Sequence, residues 1–99
     1  MAFSIIVSPR AQKEIENAID YYALYSHEAP KTFIGMLNLT YRTLETNPFF
    51  KVRYKNIRAL KIYKFPYSLY FTIDETRYKV RVLSCFHNKL NPVKRPKWN

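Results

Sequence analysis

Four side chains between Arg58 and His87 have the chemistry to cut a phosphodiester. Cleaving an RNA strand takes a group that deprotonates the 2′-hydroxyl, a cation at the crowded phosphate, and an acid for the leaving 5′-oxygen. Histidine suits either proton-transfer role near neutral pH, and one stands at position 87. Arg81 shares its strand parity, Lys61 is expected across the sheet, and Arg58 and Lys64 flank the region. Tyr63 and Tyr70 offer rings on which bases stack. Read without catalysis, Lys61, Tyr63, Lys64, Tyr70, Lys79 and Arg81 form a surface that binds nucleic acid or another target, and His87 is a strand-end histidine bonded to backbone. Composition alone favours binding over cleavage.

Other chemistries fail on counting. Cys85, His27 and His87 are the only thiol and imidazole groups, and structural zinc takes four ligands at close spacing, so no metal is expected. Cys85 and His87 point to one side of a strand, but residues two apart sit roughly 6–7 Å apart at the backbone, too far for an activated nucleophile. Cys85 reads instead as a small apolar filler. A single glycine excludes a glycine-rich phosphate loop, and no cofactor is expected.

These residues need a sheet to carry them. Residues 57–87 hold three runs rich in Val, Ile, Tyr and Phe, broken at Pro66 and at Asp74-Glu75-Thr76-Arg77. Breaks this short imply antiparallel hairpins. The period-2 rule places Leu60, Ile62, Leu69, Phe71, Ile73, Val80, Val82 and Phe86 on one face. The reverse face receives Ala59, Lys61, Tyr63, Ser68, Tyr70, Thr72, Lys79, Arg81, Leu83, Cys85 and His87.

Upstream, Phe3 to Val7 reads as a short strand that joins the sheet beside a later one. Ser8 is an N-cap and Pro9 a first helical residue. The apolar stripe Ala11, Ile15, Ala18, Ile19, Tyr22 and Tyr25 predicts a helix from Pro9 to about Tyr25. A second helix starts at Pro30, carries Phe33, Met36, Leu37, Thr40, Tyr41 and Leu44, and ends at Asn47-Pro48. Phe49 to Asn56 is a basic, aromatic connector without clear pattern. Residues 88–99, with Pro92, Pro96 and Trp98, read as an irregular tail. The expected fold class is α+β, order β-α-α-β-β-β, with a helical hairpin on one face of a small, mostly antiparallel sheet. It makes one domain over residues 1–99.

The chain of 99 residues carries 17 Lys+Arg against 7 Asp+Glu, a net charge of +10. That exceeds the roughly 2–8 that solubility asks of a small domain and points to an acidic partner. One cysteine excludes an internal disulfide. No run approaches the ~20 apolar residues of a membrane span, and Phe3 to Val7 lacks the basic lead-in of a secretory signal. The cytoplasm is the expected compartment, and no membrane partner is expected.

Several short pieces recur together in order. They are Ser8-Pro9 with Ala11, Ile19-Asp20-Tyr21-Tyr22, and Leu44 to Pro48. Then come Arg58-x-Leu60, Lys64-Phe65-Pro66-Tyr67, Leu69-Tyr70, Val80-x-Val82-Leu83, His87 and Pro92. On these the chain resembles the RelE/ParE superfamily of toxins from type II toxin–antitoxin systems, over nearly its whole length. The resemblance implies two helices against an antiparallel sheet, and a growth-inhibiting toxin of the plasmid-stabilisation kind. It also implies a cognate acidic antitoxin that silences the toxin in a hetero-oligomer. Two targets are implied: DNA gyrase in the ParE branch, without enzyme activity, and mRNA on the ribosome in the RelE branch, by endoribonuclease action. Phe65-Pro66-Tyr67 and His87 with Pro92 look like the ParE branch. The RelE branch tends to place a catalytic arginine after the tyrosine that opens the second C-terminal strand; here Ser68 follows Tyr67. For cleavage, Arg58, Lys61, Arg81 and His87 are the residues left to act. A non-toxic, binding-only member is the remaining reading.

Overall fold

Residues 2–88 are described by a computed structural model of the protein; the expected tail lies almost wholly outside them. The elements in chain order are β1 (Ser4–Val7), α1 (Pro9–Ala23), α2 (Glu28–Thr46), β2 (Val52–Tyr54), β3 (Ile57–Lys61), β4 (Tyr67–Asp74) and β5 (Lys79–His87). The expected order holds with one strand added: β2 arises inside the unpatterned connector. All three of its residues are exposed, so no alternation marked it.

Ser8 turns the chain from strand into helix. Its Oγ accepts the Ala11 N–H at 3.1 Å, with Pro9 as the first helical residue. Ala11, Ile15 and Ala18 are buried, and Ile19 and Tyr22 pack against the core. The helix stops at Ala23, short of Tyr25, a residue left 69% exposed instead of extending the stripe. The second helix begins at Glu28, ahead of Pro30. Ser26 Oγ accepts the Ala29 N–H at 2.9 Å, so the chain is already turning before the proline, which sits in the first turn where its missing N–H costs nothing. Thr46 ends α2 before Asn47-Pro48.

Phe33, Leu37, Thr40 and Leu44 form the buried side of α2. Thr40 satisfies its hydroxyl by donating to the Met36 carbonyl at 2.8 Å. The lone glycine, Gly35, lies on the exposed side of the same helix with open space around it. Positive φ falls instead to Lys55, Lys64 and Tyr78, all in turns. Gly35→Ala should therefore raise stability by about 0.5–1 kcal/mol, since alanine loses less backbone entropy in a helix. A lower midpoint in urea would mean that a neighbour occupies the space beside Gly35.

The sheet order is β1-β5-β4-β3-β2. β2 with β3, β3 with β4 and β4 with β5 are antiparallel, and β1 joins parallel to β5. One face meets the helices: Leu69, Phe71, Val80 and Val82 are fully buried there with Phe33 and Leu44. A very short edge strand such as β2 leaves little open ladder for stray pairing.

The register breaks in β2 between Val52 and Tyr54 and, with more consequence, between β4 and β5. Tyr70 pairs with Ser84 and Phe71 with Val82, so Leu83 is an extra residue on β5. Such a β-bulge shifts every later side chain by one and exchanges the two faces. Cys85 pairs with Leu69 in the core, and His87 pairs with Tyr67 beside the helices. Phe86 pairs with Ser68 and turns to the outer face. That one inserted residue corrects the expected facing of Cys85 and His87 outward and of Phe86 toward the helices, although Phe86 is still buried.

Candidate functional site

The outer face keeps most of its expected cations. Lys61 pairs with Ser68, Ala59 with Tyr70, Arg81 with Thr72 and Lys79 with Asp74, and directly opposed residues share a face. Lys61 and Arg81 are exposed, and Tyr70 is half-buried between them. Ser68 and Thr72 are four residues apart on β4, roughly 13 Å, and Lys61 and Arg81 lie on strands to either side, roughly 10 Å apart. The two cations are spaced to follow a backbone.

A shallow hollow of about 270 Å³ opens at one end of this face, lined by Arg53, Ala59, Lys61, Ser68, Tyr70 and Asn88. It offers two cations, two hydroxyls and an amide, a set that accepts an anion by charge and hydrogen bonds together. Arg53 and Asn88 escaped the sequence reading. Arg53 lies in β2, whose pattern is silent, and Asn88 reaches the hollow because the bulge shifts its parity; its N–H donates to the Pro66 carbonyl at 2.7 Å. The only hint was the break in alternation at Val82-Leu83.

Two of the four proposed cleavage residues lie elsewhere. Arg58 pairs with Phe71 on the helix side. Its guanidinium donates to the Phe50 carbonyl at 2.7 Å and lies over the Phe49 ring, holding the connector after α2. His87 meets the Tyr67 ring at a centroid distance of 5.0 Å. Lys61 and Arg81 face outward, so the four do not surround one reacting atom. Tyr63 and Lys64 occupy the turn between β3 and β4, with Lys64 Nζ over the Tyr63 ring at 5.8 Å.

Burial raises the Cys85 thiol to about 12, helped by the Glu14 carboxylate, so it is neither nucleophile nor ligand near neutral pH. Burial likewise lifts the Tyr41 phenol to about 12. Among the described residues no group of His, Cys, Asp or Glu could hold a metal ion, and no helix is long and apolar enough to cross a membrane.

Two helices on one side of a mixed five-stranded sheet match the RelE/ParE class of toxin fold. The family described as the ParE toxin of type II toxin-antitoxin systems, parDE, matches residues 5–89, and the chain belongs to that family. A chain of the chromosomal ParDE TA system from P. aeruginosa superposes with a TM-score of 0.72 at 14% identity, covering 87% of this chain and 96% of that one. The toxin-antitoxin complex RelBE2 from Mycobacterium tuberculosis gives 0.64 at 13% identity, covering 88% and 99%. A doubly substituted E. coli toxin RelE in the free state gives 0.64 at 17%, covering 90% and 86%. At such identities these likenesses concern the fold. No curated protein matches the chain.

Proposed function

We propose that the protein is the toxin of a type II toxin–antitoxin module, acting in the cytoplasm to arrest growth by poisoning DNA gyrase. Membership of the ParE family over residues 5–89 carries this reading. The geometry supports it. Lys61, Tyr70, Lys79 and Arg81 share a face suited to a long anionic target, and Tyr63 and Lys64 extend it at the turn. The position after Tyr67 brings Ser68 into the hollow, where a cleaving relative would want a cation.

The partner that silences it is an acidic antitoxin. Tyr21, Leu24 and Tyr25 are exposed at the end of α1, and Phe49, Val52 and Tyr54 along the β2 edge. A basic domain with such rims suits an acidic segment that folds on binding, as a strand on the edge or a helix in a groove.

Purified protein added to gyrase and supercoiled plasmid should leave linear DNA after denaturation, the sign of trapped cleavage complexes. Unchanged supercoiling with no trapped breaks would remove gyrase as target. Ribosome-dependent mRNA cleavage is the second reading, favoured by the hollow around Lys61. Codon-positioned cuts lost on substitution of Lys61 or Arg81 would bring it forward.

A further inference from the structure

β5 loses its parallel neighbour halfway along. β1 ends at Val7, opposite Val82, where the chain turns into α1. From there Ser8, the helix cap, and Glu14 of the helix take over the missing strand's hydrogen bonds. The Ser8 N–H donates to the Val82 carbonyl at 2.9 Å and the Ser8 Oγ to the Leu83 carbonyl at 3.1 Å. Glu14 Oε1 then accepts the Cys85 N–H at 3.0 Å and the Ser84 hydroxyl at 2.7 Å. Its other oxygen lies 3.7 Å from Arg10 Nε. One carboxylate thus holds both residues that follow the bulge, and Ser84 is fully buried.

We propose that Glu14 is a positioning residue for the outer face. By accepting from Ser84 and Cys85 it keeps Leu83 out of the ladder, and so places Phe86 and Asn88 outside and Cys85 and His87 inside. The alternative register is regular: Leu83 opposite Tyr70, Ser84 opposite Leu69, Cys85 opposite Ser68 and Phe86 opposite Tyr67. It moves Phe86, already buried at 9% exposure, to the helix side beside Tyr22 and Phe33, and turns the histidine and thiol outward. Without an acceptor at position 14 the Cys85 N–H loses its partner, and the bulge loses its advantage. The inference concerns what the face displays, and stands whichever target the face meets.

Glu14→Ala and Glu14→Gln separate the acceptor from the charge. In the wild type, nuclear Overhauser contacts should join Tyr67 to His87 and Ser68 to Phe86. Glu14→Ala should exchange these for Tyr67 to Phe86 and Ser68 to Cys85. It should also make the Cys85 thiol react with Ellman's reagent at least about tenfold faster, the equivalent of one hydrogen bond to a charged group. Glu14→Gln keeps an acceptor oxygen and should retain the wild-type contacts. Deleting Leu83 removes the extra residue, so in that background Glu14→Ala should fold with Tyr67 again on His87. Wild-type contacts and labelling in Glu14→Ala, shifted contacts in Glu14→Gln, or failure of the deletion to restore the Tyr67–His87 pair would each overturn the proposal.

Discussion

Phe33→Ala should lower stability by about 3–5 kcal/mol, the usual cost of emptying a buried aromatic site. Small domains have only about 5–15 kcal/mol in total, so the variant stands close to unfolding. The ring is fully buried on α2. Its centroid lies 5.6 Å from Tyr22, 5.1 Å from Phe65 and 5.7 Å from Tyr67, with Phe65 and Tyr67 edge-on. It therefore joins both helices to the turn between β3 and β4. Its neighbours cannot close the gap: Tyr22 already packs on Phe65 at 5.0 Å and Tyr67 on His87 at the same distance. At roughly 4–8 °C per kcal/mol for a domain of this size, thermal unfolding followed by circular dichroism should show the change plainly. Leu24→Ala is the control: that side chain is 82% exposed and its loss should stay within about 0.5 kcal/mol. A loss below about 1 kcal/mol at Phe33 would mean that the aromatic cluster is not packed as described.

Local signals were legible because they act over a few residues. Ser8-Pro9 announces a helix start wherever it occurs, and Asn47-Pro48 its end. The parity of Leu69 and Phe71 against Ser68, Tyr70 and Thr72 sets the two faces of β4, and the structure keeps both. Beyond Val82 the pattern divides. Leu83 and Cys85 favour one parity and Phe86 the other, so periodicity had no reason to choose the register found. The choice rests on Glu14, which reads in sequence as one more charge on a wet helix side, 71 residues from the Cys85 N–H it accepts. Arg58 is a similar case. In a row of basic residues nothing distinguishes a target-binding arginine from one held by the Phe50 carbonyl. The outer cations were legible by type and parity; that His87 does not join them was not.

The two faces of the sheet should respond oppositely to substitution. Lys61→Ala, Lys79→Ala and Arg81→Ala should each flatten the dependence of log K on log salt for duplex DNA by about 0.9, and the triple variant by about three, as each lost phosphate contact releases one fewer counterion. Stability should move by no more than about 0.5 kcal/mol, since none of the three side chains belongs to the core. Arg58→Ala should do the reverse. It removes a guanidinium that donates to the Phe50 carbonyl at 2.7 Å and covers the Phe49 ring, so it should cost about 1–3 kcal/mol and leave the salt slope alone. His87→Ala belongs with it, because the imidazole packs on Tyr67 on the helix side. Fluorescence anisotropy of a labelled duplex at several salt concentrations gives the slope, and urea titration gives the stability. Arg58 is the discriminating position. It carries the same charge as Arg81, so a model in which net charge alone draws the protein to DNA predicts equal slopes for the two variants. Face-specific contact predicts a change for Arg81 only. Equal slopes would make the basic composition, and not the sheet's outer surface, the origin of binding.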